Sequence, residues 1–339
     1  MASNTAAWIT APKARPLEVK AAPMATPGAD HILIKNYALA INPIDGKLQA
    51  TAFYPLNYPD ILGQDIAGEV VLVGPNVTGF KKGDRVIGNA TGFATKRNEN
   101  KGFQAYTVLE TNMACQIPAR ISFERAVVLP LGLSTASSGL FHPDYLNLQL
   151  PTEPRQKSTG KIILIWGGSS SVGCNAIQLS VAAGYEVITT ASPKNFELVK
   201  KLGASQVFDY NETTVVSSLI SAAKGKTIAG AFDAIGEGAY EPCIEFVRRS
   251  EGTKFVATVF VRPVEPPEGI QVAKVYAPSI RNNHVAQAIY QDFLPKALEA
   301  GAYIPAPEPM VAGKGLESVQ GAIDIQGQGT SARKVVVLL

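Results

Sequence analysis

The middle of the chain alternates short apolar strands with amphipathic helices, and this alternation constrains the fold more than any other feature. Lys161 to Trp166 is apolar after its first residue, and Val172 to Ala183 carries apolar residues at helical spacing. The pattern continues through predicted strands at 186–190, 206–208, 228–234 and 254–260, and predicted helices at 193–202, 213–223 and 239–249. Strands that are apolar throughout and separated by helices indicate a doubly wound, parallel α/β sheet. We predict that residues 129–287 form this domain.

The flanking segments follow a different pattern. The first 125 or so residues contain short alternating strands separated by Gly and Pro, which is typical of a mainly-β domain. After a predicted helix over 285–300 and a polar, turn-rich segment, the chain finishes with a predicted strand over 334–339. We expect that strand to return to the N-terminal sheet, so that residues 1–128 and 288–339 form one discontinuous domain.

Composition excludes several classes of protein. The 339 residues suit two domains, and 46% apolar against 17% charged residues indicates a globular chain. The net charge of +3, without a basic run, predicts no nucleic-acid partner. No apolar stretch approaches the roughly 18–20 residues of a membrane span, and the N-terminus lacks a signal-peptide pattern. Three widely spaced cysteines offer no disulfide framework, which favours a cytoplasmic location.

A glycine- and serine-rich loop joins the first strand of the α/β domain to its first helix. It reads IWGGSSSVG over residues 165–173, with Gly168 and Gly173 at the outer positions of G-x-G-x-x-G and Ser170 in the middle. Small residues let a backbone approach a pyrophosphate, and a helix N-terminus supplies unpaired N–H groups. We therefore predict that the loop binds a dinucleotide through Gly168, Ser169, Ser170, Ser171 and Val172. The alternative is a tight turn with a purely structural role.

The second strand of this domain indicates which dinucleotide is bound. NAD sites usually carry an acid there for the ribose 2′-hydroxyl, whereas this chain has Ser192 and Lys194 and no acid until Glu197. A hydroxyl and an ammonium suit a 2′-phosphate, and Tyr210 after the third strand adds a phenol. These residues predict NADPH. Ser192 as a helix cap and Lys194 as a solvated charge remain the alternative.

Five segments, in this order, resemble the medium-chain dehydrogenase/reductase superfamily over nearly the whole chain. They are NPIDGK at 42–47, GQDIAGEV at 63–70, GDRV at 83–86, LGLST at 131–135, and the phosphate loop. The resemblance is strongest to the zinc-independent quinone-reductase and trans-acting enoyl-reductase branches, including fungal members. It implies a GroES-like, mainly-β catalytic domain beside a Rossmann domain.

The resemblance also predicts that no metal is bound. Zinc enzymes of this superfamily take their catalytic ligands from positions that correspond to Asn42, Gln64, Asp65 and Leu131. Two amides and an aliphatic side chain cannot replace thiolate and imidazole ligands. The segment that matches the structural zinc lobe, residues 91–107, contains no cysteine.

Several site residues are carried over from the resembled reductases. The resemblance places the nicotinamide near Asn42, which can donate to a ribose hydroxyl or a substrate carbonyl, and near Thr135. Phe260 and Val261 would contact the nicotinamide side of the cofactor. Lys47 is expected to stabilise negative charge or anchor a carboxyl, and Tyr54 to donate a proton. A solvated helix charge is the alternative for Lys47, and a packed loop aromatic for Tyr54. Cys174, just inside the first helix, is expected to be a buried packing residue rather than a reactive thiol.

Without zinc, hydride transfer suits an acceptor that already delocalises negative charge. The predicted function is therefore NADPH-dependent reduction of an enone or enoyl thioester, including a tailoring step in secondary metabolism. NADPH:quinone reduction is the first alternative, and zinc-free carbonyl reduction is a weaker one. A protein that binds NADPH without catalysis is the alternative from another class. The expected partner is a small molecule, and the chain is expected to be a monomer or homodimer.

Overall fold

The computed structural model describes residues 3–259 and 265–339. The strands in chain order are β1 (Asn4–Ile9), β2 (Glu18–Ala22), β3 (His31–Ala40), β4 (Asp60–Ile61), β5 (Asp65–Val73), β6 (Arg85–Asn89), β7 (Tyr106–Glu110), β8 (Ala114–Gln116), β9 (Lys161–Trp166), β10 (Glu186–Ala191), β11 (Gln206–Asp209), β12 (Thr227–Asp233), β13 (Phe255–Thr258), β14 (Gln271–Lys274), β15 (Glu308–Lys314) and β16 (Arg333–Leu338). The α-helices are α1 (Pro43–Thr51), α2 (Gly92–Thr95), α3 (Phe123–Ala126), α4 (Pro130–Phe141), α5 (Ser171–Ala182), α6 (Phe196–Lys201), α7 (Val215–Ala223), α8 (Tyr240–Arg249), α9 (His284–Gln287), α10 (Leu294–Ala300) and α11 (Val319–Gly327).

The chain divides into two compact units. The first combines Met1–Leu131 with Pro305–Leu339, and the second is the continuous segment Gly132–Ile304. The second unit is therefore an insertion within the first in the order of the chain.

The second unit is built on a six-stranded sheet with the order β11-β10-β9-β12-β13-β14. Every pair in it is parallel, which confirms the predicted doubly wound fold. The strand order reverses between β9 and β12, where Trp166 lies opposite Asp233. Ligands of open α/β sheets bind outside the carboxyl ends of the strands at such a reversal. A ligand site is therefore expected at this edge of the sheet.

The residues of this sheet are apolar because helices cover both of its faces. Ile162, Ile163, Leu164 and Ile165 of β9 are each fully buried. Two of them, Ile162 and Leu164, belong to a core that also contains Phe246 of α8 and Val256 of β13. The continuous apolar run of β9 thus reflects burial on two faces rather than one.

The first unit contains a seven-stranded sheet and a three-stranded sheet. The larger one has the order β15-β16-β3-β5-β6-β8, with β7 also paired to β3. The final strand β16 pairs antiparallel with the end of β3, where Val337 lies opposite Leu39. The expected return of the last strand to the N-terminal sheet is confirmed, and this return brings residues from both ends of the chain into one core.

Two predictions about the C-terminal region need correction. The segment between α10 and β16 is not simply turn-rich, because it contains β15 and α11. Gly313 in β15 and Gly321 and Gly327 in α11 weaken the local preference of these two elements. The helix depends on burial of Val319, Ala322 and Ile323 in the core of the first unit. The predicted helix over 285–300 is present but includes a π-helical segment, Ala288–Phe293, before Pro295. Proline lacks the N–H that an α-helical register would use, which accounts for the change there.

Candidate active site

The loop after β9 forms a close backbone cradle at the sheet reversal. A Cβ atom on Gly173 would lie 2.2 Å from the carbonyl oxygen of Gly167, and one on Gly168 would lie 2.2 Å from Oγ1 of Thr189. Both positions therefore require glycine. Thr190 supports the loop from β10, because its Oγ1 accepts the N–H of Gly167 at 2.9 Å. The structure thus brings α5 and β10 against the loop as closely as a phosphate-binding turn needs.

Ser170 is the N-cap of α5. Its Oγ accepts the N–H of Gly173 at 3.0 Å, so the hydroxyl oxygen caps the helix while its hydrogen can still be donated. Ser171 and Val172 occupy the first turn, where backbone N–H groups have no partner within the helix, and both residues are half-buried. Ser169 accepts a bond from Asn195 at 3.4 Å, which ties this loop to the turn after β10.

The hydroxyl groups of Ser192 and Tyr210 lie 2.9 Å apart, beyond the ends of the neighbouring strands β10 and β11. Ser192 occupies an N-cap position but makes no side-chain cap bond, so its capping role is not observed. Lys194 is exposed two residues further on. Asp209, at the end of β11 and next to Tyr210, accepts the backbone N–H of Asn211 at 3.0 Å. The structure thus brings the hydroxyls of Ser192 and Tyr210 together, and Lys194 follows Ser192 closely along the chain.

Thr135, predicted to contact the nicotinamide, is half-buried on α4 in the second unit. Its neighbour Ser134 is fully buried and hydrogen-bonded to the hydroxyl of Tyr290 at 2.7 Å. Phe260 and Val261, predicted for the same ring, lie outside the described residues.

A network of buried polar side chains surrounds Asn42 in the first unit. The amide nitrogen of Asn42 donates to Oδ2 of Asp65 at 2.8 Å, and its oxygen accepts from Nζ of Lys334 at 2.5 Å. Lys334 also pairs directly with Asp65 at 2.9 Å. The other oxygen of Asp65 accepts the backbone N–H of Leu131 at 2.6 Å. The side chains of Asp65 and Lys334 are 0% and 4% exposed, so this ion pair is excluded from solvent.

Asp45 closes the first turn of α1 beside this network. Its carboxyl accepts the N–H groups of Asn42 at 2.8 Å and Gly63 at 3.3 Å. Burial is the main cause that raises the pKa of Asp45 to about 7. The negative charge of Asp65 also acts to raise the pKa, and the two N–H groups and Lys334 oppose the rise. Asp45 thus caps the first turn of α1 with a carboxyl whose pKa lies near neutral pH.

Tyr54 and Lys47 differ in their surroundings. Tyr54 is half-buried, its ring centroid lies 4.3 Å from that of Phe93, and it lines a small cavity that is open to solvent. Asp45 and Gln64 line the same cavity. Lys47 is exposed on α1 and is absent from the described residues that line this cavity. Tyr54 thus has both a packing contact and access to a cavity.

The residues missed by sequence reasoning are those that depend on distant pairing. Lys334 lies 292 positions from Asn42, and a lysine before an apolar strand usually indicates a solvated edge. Asp233, at the end of β12, accepts three hydrogen bonds from Thr258, Ile235 and Gly236, and burial raises its pKa.

Cys174 is fully buried, and burial raises the pKa of its thiol to about 12, as expected for a packing residue.

Two family models match this chain and together cover more than half of it. Residues 28–119 match the alcohol dehydrogenase GroES-like domain, and residues 171–288 match the zinc-binding dehydrogenase domain. The chain is a medium-chain dehydrogenase/reductase. The superfamily predicted from the sequence motifs is thereby confirmed, together with its GroES-like and Rossmann-type folds.

Three curated relatives match this dehydrogenase/reductase over nearly its whole length. The zinc-binding alcohol dehydrogenase domain-containing protein cipB of Emericella nidulans is 57% identical over 99% of this chain and 98% of its own. The dehydrogenase pigH of Monascus ruber is 49% identical over the full length of both. The trans-enoyl reductase himH of Aspergillus japonicus is 40% identical over 98% of this chain and 97% of its own.

Solved structures share the fold of this dehydrogenase/reductase at low sequence identity. An alcohol dehydrogenase superfamily protein from Novosphingobium aromaticivorans superposes with a TM-score of 0.80 at 22% identity over 99% of both chains. The quinone oxidoreductase of Escherichia coli, solved with NADPH, superposes with a TM-score of 0.73 at 20% identity over the whole of both chains.

The donor set of this dehydrogenase/reductase does not fit zinc. Of the four positions that would supply ligands, Asn42 and Asp65 are bonded to the ammonium of Lys334, and Leu131 offers a backbone N–H donor. Zinc requires electron-pair donors, whereas this cluster already surrounds a cation. Over residues 3–259 and 265–339, no three Asp, Glu, His or Cys side chains group into a metal site. The described chain also contains no helix that is long and apolar enough to cross a bilayer.

Proposed function

We propose that this protein is a zinc-independent, NADPH-dependent reductase that transfers hydride to an activated alkene, either an enone or an enoyl thioester. The ammonium of Lys334 among the would-be metal ligands carries the proposal. Because that donor set cannot bind a Lewis-acidic metal, the acceptor has to delocalise its own charge. The 40% identical trans-enoyl reductase himH supports the same chemistry.

The cradle around Gly168 fits the pyrophosphate of the cofactor. Ser169, Ser170, Ser171 and Val172 would hold it through backbone N–H groups and hydroxyls. Ser192, Lys194 and Tyr210 would bind the 2′-phosphate. Thr135 would hold the nicotinamide, and Phe260 and Val261 remain predicted contacts for that ring. When bound, NADPH supplies the hydride that adds to the β-carbon of the substrate.

The remaining steps belong to side chains of the first unit. Negative charge that reaches the substrate carbonyl oxygen needs a fixed donor, and the free amide hydrogen of Asn42 is proposed to be that donor. Tyr54, which lines the cavity, is proposed to deliver a proton to the α-carbon. Lys47, exposed on α1, is proposed to attract a carboxyl or thioester-linked anionic group at the entrance.

The proposal extends to the partner, the cellular role, the location and the oligomeric state. We propose a small conjugated carbonyl compound as the partner, a tailoring step in secondary metabolism as the role, a cytoplasmic location, and a monomer or homodimer as the active form.

The test is turnover by the purified protein with NADPH against a panel of enones, enoyl thioesters and quinones. We expect oxidation of NADPH and a product heavier by two hydrogens, saturated between the α- and β-carbons. NADPH labelled with deuterium at C4 should place the deuterium at the β-carbon, as read by mass spectrometry and NMR.

Three results would contradict the proposal. A quinol product without saturation of any alkene would assign the protein to quinone reduction instead. A rise in melting temperature with NADPH, without oxidation on any acceptor, would identify a binding protein that lacks catalysis. Metal analysis of active protein that returned one zinc per chain would exclude the zinc-free mechanism.

A further inference from the structure

The side-chain amide of Asn42 has one electrostatically acceptable orientation. Its oxygen faces the ammonium of Lys334 and one N–H faces the carboxylate of Asp65. Rotating the amide by half a turn would bring its N–H group toward the ammonium and its oxygen toward the carboxylate. Both contacts would then be repulsive, in surroundings where Asn42 is only 4% exposed and solvent screens poorly.

The two charges that set this orientation are themselves held in place. Asp65 is fixed by the backbone N–H of Leu131, and Lys334 is fixed on β16 between β15 and β3. Asn42 is the N-cap of α1, and its own N–H is bonded to Asp45. An asparagine amide carries two hydrogens, and Asp65 uses one of them. The second has no acceptor among the described residues.

We propose that Lys334 is a positioning residue that acts through Asn42. Its ammonium, together with Asp65, holds the amide so that the second N–H is presented to the reactants. The inference deepens the proposed function, on which it rests, because Asn42 is the donor proposed for the substrate carbonyl.

A double-mutant cycle on kcat separates this role from simple stabilisation. Asn42→Ala is expected to lower kcat about a hundredfold, the usual effect of losing one preorganised donor. Lys334→Met should lower kcat about tenfold, with a smaller change in the KM for substrate, and Lys334→Arg should recover part of that loss. In the Asn42→Ala background, Lys334→Met should have no further effect on kcat. Losses that multiply in the double variant would overturn the proposal.

Lys101 offers a matched control. It is also a buried lysine of the first unit, with a side chain that is 7% exposed, but it pairs with Asp60 instead of Asn42. Lys101→Met removes a comparable buried charge, and its effect on kcat should multiply with that of Asn42→Ala.

If Lys334→Met leaves the charge of Asp65 uncompensated and the chain does not fold, the double variant Asp65→Asn/Lys334→Met removes both charges together. Activity of that variant equal to the parent's would overturn the proposal.

An NMR measurement makes the inference independent of turnover. The side-chain amide of Asn42 can be assigned by its loss in Asn42→Ala. We expect two separate, exchange-protected proton resonances in the parent, and a change in their positions in Lys334→Met but not in Lys101→Met. Unchanged resonances in Lys334→Met would disprove the positioning role even in an active enzyme. If the parent reduces no acceptor, the proposed function fails while these spectra still decide whether Lys334 orients Asn42.

Discussion

Ser192 and Tyr210 place two hydroxyls 2.9 Å apart, and Lys194 adds an exposed ammonium to the same end of the sheet. We predict that Lys194→Glu weakens NADPH binding about ten- to hundredfold, because a charge-assisted bond to phosphate is replaced by repulsion. NADH, which lacks the 2′-phosphate, should bind nearly as before. Fluorescence titration of both cofactors measures the difference. Lys201→Glu, an equal charge change on the exposed surface of α6, is the control, and equal losses for NADPH and NADH would contradict the assignment.

Asp45 gives a second prediction for a single residue. Burial raises the pKa of Asp45 to about 7, above its value in the unfolded chain, so the native state holds its proton between about pH 4 and about pH 7. The free energy of unfolding should therefore fall as the pH rises through that window, by about 1.4 kcal/mol per pH unit at most. Asp45→Asn, which cannot ionise, should remove this part of the pH dependence. Denaturant melts from pH 4 to pH 8 test it, and identical slopes for parent and variant would disprove it.

The phosphate-loop residues could be predicted from the sequence because they are contiguous. Gly168 to Gly173 lie between a recognisable strand and a recognisable helix, so local pattern is enough to find them. Lys334 could not be found in this way, since its partners Asn42 and Asp65 belong to the other end of the chain. Only the pairing of β16 with β3 makes them neighbours.

Among helices and strands too, those with a strong local sequence pattern were predicted, and those that depend on distant contacts were missed. β9 and α5 were predictable because burial on two faces and helical spacing leave strong patterns. β15 and α11 were missed because the local composition, with three glycines, does not favour a strand or a helix. Contacts with α1, β16 and the first core stabilise α11, and these contacts are not visible in a local window of sequence.

The junction between the loop and α5 yields a prediction at this scale. In Gly173→Ala, the added Cβ would meet backbone atoms of Gly167 and Gly168, which no side-chain rotation can move away. We expect a loss of about 1–3 kcal/mol in the free energy of unfolding and at least tenfold weaker NADPH binding. Chemical denaturation and cofactor titration measure the two effects.

Gly321→Ala supplies the matched control. Gly321 is exposed within α11, and a Cβ there would meet no described atom within 4 Å. The change should stabilise the protein by about 0.5–1 kcal/mol and leave NADPH affinity unaltered. If Gly173→Ala behaved like Gly321→Ala, the close approach of α5 to the loop would be wrong.

For the whole molecule, we expect the two units to differ in their ability to fold when they are produced as separate fragments. Residues 132–304 are continuous and contain their own sheet and core, so we predict that this fragment folds and binds NADPH. Residues 1–131 lack β15 and β16, which pair in succession onto β3, and should remain unfolded alone. Circular dichroism, thermal melts and NADPH titration of both fragments test this. An aggregated second fragment or a cooperatively melting first one would contradict the prediction.

The insertion of one unit within the other has a consequence for biosynthesis. A ribosome completes all of Gly132–Ile304 before it adds β16 and Lys334. Synthesis of the Rossmann-type unit is therefore complete before β15 and β16 of the GroES-like sheet have been made. Asp65 and Asn42 stay without their cationic partner until Lys334 is added, so the side-chain amide of Asn42 is oriented only after the second unit has been synthesised.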